Sequence, residues 1–138
     1  MSRTLALMAR IRGLAVAEAR RDLADHLRRE GLAEAAADAA VARLLLERSV
    51  ATDMQANDAA VEAFAAWLPH GTKTLADSSD GLTRAQAATA QARARLTVAR
   101  ASDAALEALI AAKKAEAEAE RLKQEQLVLD EIGVRRSR

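Results

Sequence analysis

Apolar residues return along this chain every three, four or seven positions almost from end to end, which is the stripe of a helix and not the alternation of a strand. In the first half the stripe is marked by Leu5, Met8, Ile11, Leu14, Leu23, Leu27, Val41, Leu44, Met54, Val61 and Leu68, with alanines such as Ala15, Ala19, Ala37, Ala51 and Ala65 between them. In the second half Leu82, Thr89, Leu96, Asp103 and Ile110 recur every seven residues, and Ala85, Ala92, Ala99 and Leu106 each follow by three. These are the a and d positions of a heptad. Past Lys113 the phase shifts and Leu122 and Leu129 carry the stripe, a stutter that changes supercoiling locally.

The pattern falters over residues 67–82, which hold the only proline, Pro69, two of the five glycines, Gly71 and Gly81, and the adjacent Ser78 and Ser79. Proline has no N–H to give and clashes with the preceding turn, and glycine ends helices by taking the left-handed conformation. A helix is therefore expected to stop near Leu68. Thr74 followed by Asp77 has the form of a capping box and can start the next. Phe64 and Trp67, one turn apart beside the break, read as a clasp that closes the hairpin, with Pro69 and Gly71 making the turn; the alternative is an exposed contact for a partner.

The predicted fold is all-α: a single antiparallel two-helix coiled-coil hairpin over 1–138, an elongated rod on the order of 90 Å long. Its first arm covers about 4–68, its turn about 69–73 with the weak stretch reaching to 81, its second arm about 74–132, and a basic tail 133–138 follows. Gly13 and Gly31 each weaken the first arm by roughly 1 kcal/mol, and Gly31 marks a soft point. Antiparallel partners would then have residue numbers summing to about 143, the sum of Leu68 and Leu75 at the turn. That register sets Val61 against Leu82, Leu14 against Leu129 and Ile11 against Ile132, and lays Arg84, Arg93, Arg95 and Arg100 beside Glu47, Asp53, Asp58 and Glu62.

Composition thins the expected core. There is one phenylalanine, one tryptophan and no tyrosine, and alanine supplies most of the 51% of hydrophobic residues, so two helices can approach closely without filling much volume. With 30% of residues charged, this is the balance of a coiled coil or long helix. Net charge is only +1, but it is unevenly spread: residues 1–29 carry a surplus of four positive charges, 30–80 a surplus of six negative, and 81–138 a surplus of three positive. The absence of cysteine excludes disulfides and thiolate metal sites and fits a reducing compartment. No apolar run approaches the roughly 20 residues of a membrane span. Arg3, Arg10 and Arg12, with no acid before Glu18, resemble a transit peptide, but the helical pattern runs on unbroken and reads as an ordinary first helix.

No catalytic constellation stands out. The chain has no Walker loop, dinucleotide fingerprint or His-Glu-x-x-His motif, so it reads as a non-enzyme without cofactor or metal. His70 falls in the predicted turn, and His26 lies in a charged run with no second ligand at metal spacing. Arg93 and Arg95 lack the aromatic interleaving of a nucleic-acid surface and face an acidic arm.

One segment is more distinctive. Lys113-Lys114-Ala115-Glu116-Ala117-Glu118-Ala119-Glu120-Arg121-Leu122-Lys123-Gln124-Glu125-Gln126-Leu127-Val128-Leu129-Asp130-Glu131, a charged helix ending in a leucine-rich stretch and Asp-Glu, resembles the C-terminal arm of the flagellar export protein FliJ and of its virulence counterpart, the YscO family. The resemblance implies a cytoplasmic, non-enzymatic stalk or adaptor at an inner-membrane type III export apparatus. Its end bearing both termini would enter and stimulate the hexameric secretion ATPase, and the rod would link it to the export gate protein and to export chaperones. By position the resemblance assigns ATPase contact to Leu122, Lys123, Gln126, Leu129, Asp130 and Glu131, with Ile11, Leu14, Arg20 and Arg21 across from them. The residues themselves speak against nucleic acid and a membrane span, and the hairpin is expected to be a monomer or weak dimer. Two other classes stand beside it: a structural coiled coil in which two hairpins bury faces such as Leu45, Leu46 and Leu109 in a dimeric bundle, and a nucleic-acid or regulatory adaptor.

Overall fold

The computed structural model describes residues 2–137. Two long helices, α1 (Arg3–Ala51) and α2 (Asp58–Ser137), pack against each other as an all-α hairpin, with no strand among the described residues. The hairpin is as expected, but its turn is not at Pro69. It lies at residues 52–57, so the first arm ends at Ala51 and α2 runs through Pro69, Gly71 and Gly81 without a break.

Side-chain hydrogen bonds make this turn. Thr52 Oγ1 donates to the Arg48 carbonyl at 2.9 Å and closes α1, and Asp53 Oδ1 accepts from the Gln55 N–H at 2.9 Å. Asn57 Oδ1 accepts from the Ala60 N–H at 2.9 Å, the N-cap geometry, and Asp58 places a negative charge in the first turn of α2, where the helix dipole favours it. No described residue has positive φ, so the turn requires no glycine. At the other end of α1 the Ser2 hydroxyl caps the Leu5 N–H at 3.1 Å.

The helix survives Pro69 for two reasons. An interior proline costs about 3 kcal/mol, partly by orphaning the carbonyl four residues back. Here Pro69 and Ala65, the residue whose carbonyl loses its partner, are both exposed, so water can satisfy the group. On the opposite side, the heptad that begins at Leu82 extends backwards through Leu75 and Leu68, with Ser78 and Gly71 at the companion positions, and all five are buried or half-buried. Ending the helix at residue 69 would forfeit that whole section of the seam.

The seam alternates alanines with larger residues. On α1 it follows Ala9, Val16, Leu23, Glu30, Ala37, Leu44 and Ala51, with Leu5, Ala19, His26, Ala33, Ala40 and Glu47 between. The larger apolar residues that marked the first arm in sequence mostly lie off it: Met8, Ile11, Leu14, Leu27, Val41, Met54 and Val61 are exposed. The six alanines on that line let the helix axes come close.

The chain's contacts gather into two units, Met1–Glu18 with Thr97–Arg138, and Ala19–Leu96. In the first unit the buried residues are Val16 and Leu106, and every described residue from 111 onward is exposed. In the second they include Ala40, Ala51, Ala92, Leu96 and Thr89.

Candidate functional site

In the Ala19–Leu96 unit, register is reported by three cross-helix relations. Thr89, 1% exposed, gives its hydroxyl to the Ala85 carbonyl at 3.0 Å and stands 3.4 Å from the His26 carbonyl on α1. Asp22 lies 3.4 Å from Arg95 and 3.6 Å from His26 Nε2. The Arg43 guanidinium sits 5.8 Å from the centroid of the Trp67 indole, in cation–π range. These pairs have residue numbers summing to between 110 and 117. The sum of 143 is therefore overturned, together with the pairings drawn from it. Arg95 meets Asp22, and Glu47 is held by Arg43 of its own helix at 2.7 Å.

Phe64 and Trp67 do touch, with ring centroids 6.3 Å apart, but they lie within α2 and not at the end of the hairpin. Gly71 is buried beneath the indole: a Cβ there would overlap the six-membered ring of Trp67. The residues assigned to closure thus have other roles. Gly71 makes room for Trp67, Trp67 receives Arg43 from α1, and Pro69 stands on the exposed side.

In the unit that carries both termini, the start of α1 reaches α2 at an open cleft lined by Ser2, Leu5, Ile110, Lys113, Lys114 and Ala117. Beyond it α2 continues to Ser137, about 20 residues or ~30 Å of helix with no α1 alongside. Leu122, Lys123, Gln126, Leu129, Asp130 and Glu131 all belong to this overhang, and Ile11 and Leu14, exposed on α1, do not stand across from them. Arg20 and Arg21 are exposed residues of the other unit.

The overhang is held as a helix by its own charges. Arg121 bridges Glu118 and Glu125, each at 2.5 Å, Arg135 binds Glu131 at 3.0 Å, and the Gln126 amide donates to Asp130 at 3.0 Å. The Arg121 hydrogen bond lowers the Glu118 pKa below the ordinary carboxylate value. Between these polar rows stand the apolar Leu122, Leu127, Val128, Leu129 and Ile132, each from 43% to 62% exposed. A face of this kind is suited to binding another surface.

Among the described residues no three His, Cys, Asp or Glu side chains gather as a metal site, and no helix is long and apolar enough to cross a membrane. No family model, curated protein or solved structure matches the chain.

Proposed function

We infer that this chain is a non-enzymatic stalk or adaptor of a type III export apparatus, flagellar or virulence-associated. In this reading it works in the cytoplasm, inserts the unit bearing both termini into the hexameric secretion ATPase, stimulates it, and links it to the export gate protein and export chaperones. The observation that carries the reading is the overhang. Most of the segment that resembles the FliJ and YscO arm, from Glu118 to Glu131, lies in the stretch of α2 that runs bare past α1, with its apolar and charged residues exposed together. A helix of mixed charge with moderate apolar patches can meet the repeated surfaces of a ring through many weak contacts that respond to ionic strength.

The test is stimulation of a purified secretion ATPase from the same genome by the full chain. Wild type should raise ATP hydrolysis, and removal of residues 118–138 should abolish the effect while leaving the remaining helical signal. An ATPase indifferent to the wild-type chain overturns the assignment. A second reading, a structural bundle of two hairpins joined side by side, is favoured by Leu45 and Leu46 on α1, 57% and 60% exposed, and by Leu109 on α2, 46% exposed. It would show as a dimer that survives loss of the overhang.

A further inference from the structure

Beyond Ala117 the heptad resumes on a new face of α2. Leu122, Leu129 and Arg136 occupy one position of it, and Glu118, Glu125 and Ile132 the other. Nothing of the first unit covers this face. We propose that it docks on the same face of a second copy of the chain, antiparallel, so that Leu122 meets Ile132, Glu118 meets Arg136, and Leu129 seats beside Glu125.

Charge chooses both the partner and the direction. Paired in parallel, the stripe would set Glu118 on Glu118, Glu125 on Glu125 and Arg136 on Arg136, and like charges at such positions repel. Reversed, it is complementary to itself: an acid meets a base at each end, and the leucine and isoleucine meet between. The surface also has the shape of a receiving hole. A shallow groove lies among Arg121, Gln124, Glu125, Val128 and Leu129, and the antiparallel register brings the second copy's Leu129 to it as the knob. Glu125 enters this contact already bound to Arg121 at 2.5 Å. Arg121 and Arg135 of opposite copies come nearly level at the rim, where each is neutralised within its own helix, Arg121 by Glu118 and Glu125 and Arg135 by Glu131.

The geometry of α1 leaves room for the pairing. The start of α1 reaches α2 no further than Ala117, so in the antiparallel arrangement the paired stretch of each copy begins where its own α1 has ended. With about 20 residues engaged, the association is weak and concentration-dependent, since helices of that length are marginal on their own. The pairing does not rest on the export reading, but it occupies the face that reading gives to the ATPase, so the two states exclude each other.

Sedimentation of the full chain over a concentration series should show a mass rising from 14.7 kDa toward twice that value. Leu129→Glu with Ile132→Glu should abolish the rise and keep the hairpin's helical signal, because neither side chain packs within the chain. The chain has no cysteine, so direction can be read cleanly. Leu122→Cys mixed with Ile132→Cys should form a disulfide-linked dimer on oxidation, and either variant alone should not. The proposal is overturned by a mass that stays at 14.7 kDa, by a dimer that persists in the double glutamate variant, or by Leu122→Cys linking to itself. No ATPase enters these measurements, so their failure and the failure of the export reading are distinguishable.

Discussion

Arg95 of α2 places its guanidinium 3.4 Å from the carboxylate of Asp22 on α1, an ion pair closed across 73 residues of chain. Both side chains are about half exposed, at 59% and 46%, so the pair contributes only about 0.2 to 1 kcal/mol. Its value lies in reporting register. Asp22→Arg should lower stability in urea unfolding, and adding Arg95→Asp should restore part of the loss, with a coupling within that range. A coupling of zero would mean that these charges do not meet.

Register can also be read by crosslinking in the first unit. Leu5 and Ile110 line one cleft, so cysteines at those two positions should form a disulfide within one chain under dilute oxidation. Cysteines at Leu14 and Leu129, partners under a sum of 143, should stay reduced in the monomer. The opposite result would restore the turn to residue 69.

Pro69 and Asn57 have exchanged the roles that their residue types suggest. Pro69→Ala supplies an amide to a helix that already exists, so it should stabilise the chain by up to about 3 kcal/mol and leave its shape unchanged. Asn57→Ala removes the cap on the Ala60 N–H and should lose about 1 kcal/mol. Thermal unfolding of the two variants decides, because a turn at residue 69 predicts that Pro69→Ala disrupts the hairpin.

The glycines divide in the same way. Gly31 has nothing within 4 Å of an added Cβ and sits in an ordinary helical backbone, so Gly31→Ala should stabilise by about 0.5 to 1 kcal/mol. Gly71→Ala should instead destabilise, since its methyl group meets the Trp67 ring, and it should shift the indole fluorescence as the ring is displaced. Equal gains at both sites would show that Trp67 does not lie over Gly71.

The overhang should be the first part of the chain to open. At concentrations where the chain is monomeric, amide exchange over residues 118–137 should be faster than over 85–106, which line the seam. Glu118 adds a pH dependence. Its pKa is lowered in the folded helix by Arg121, so its contribution is present above the ordinary carboxylate value and is lost as pH falls through the lowered one. Carbon chemical shifts of residues 115–128 should move toward coil in that acid range, and Glu118→Gln should reduce that dependence. Shifts indifferent to pH in wild type would deny the bridge a role.

The heptad of α2 was legible from Leu82 to Ile110, and the structure keeps all nine of its quoted positions buried or half-buried. The same period could have been followed backwards through Leu75, Leu68, Ser78 and Gly71, which would have carried the helix past Pro69. Pro69 and Gly71, as residue types that usually end helices, mask that continuity in the sequence. The cluster Thr52, Asp53, Asn57 and Asp58 held the competing signal, since these side chains bond neighbouring backbone groups and so favour turns and caps. On α1 bulk and period part company: Leu5, Ala19, Leu23 and Leu44 lie on the seam as their spacing suggests, while the bulky Ile11 and Leu14 stand exposed and Ala9 and Val16 take seam positions.

What the sequence determined by itself is the helical class, because alanine content and a period of three to four residues act locally and need no partner. The place of the turn, the register and the overhang were decided by tertiary packing. Each depends on comparing a local loss, such as a proline inside a helix, with the gain from a seam whose other half lies dozens of residues away. That balance sets Ala51 and Asp58 as the helix ends, brings Arg95 to Asp22, and leaves the final turns of an 80-residue helix without a partner from α1.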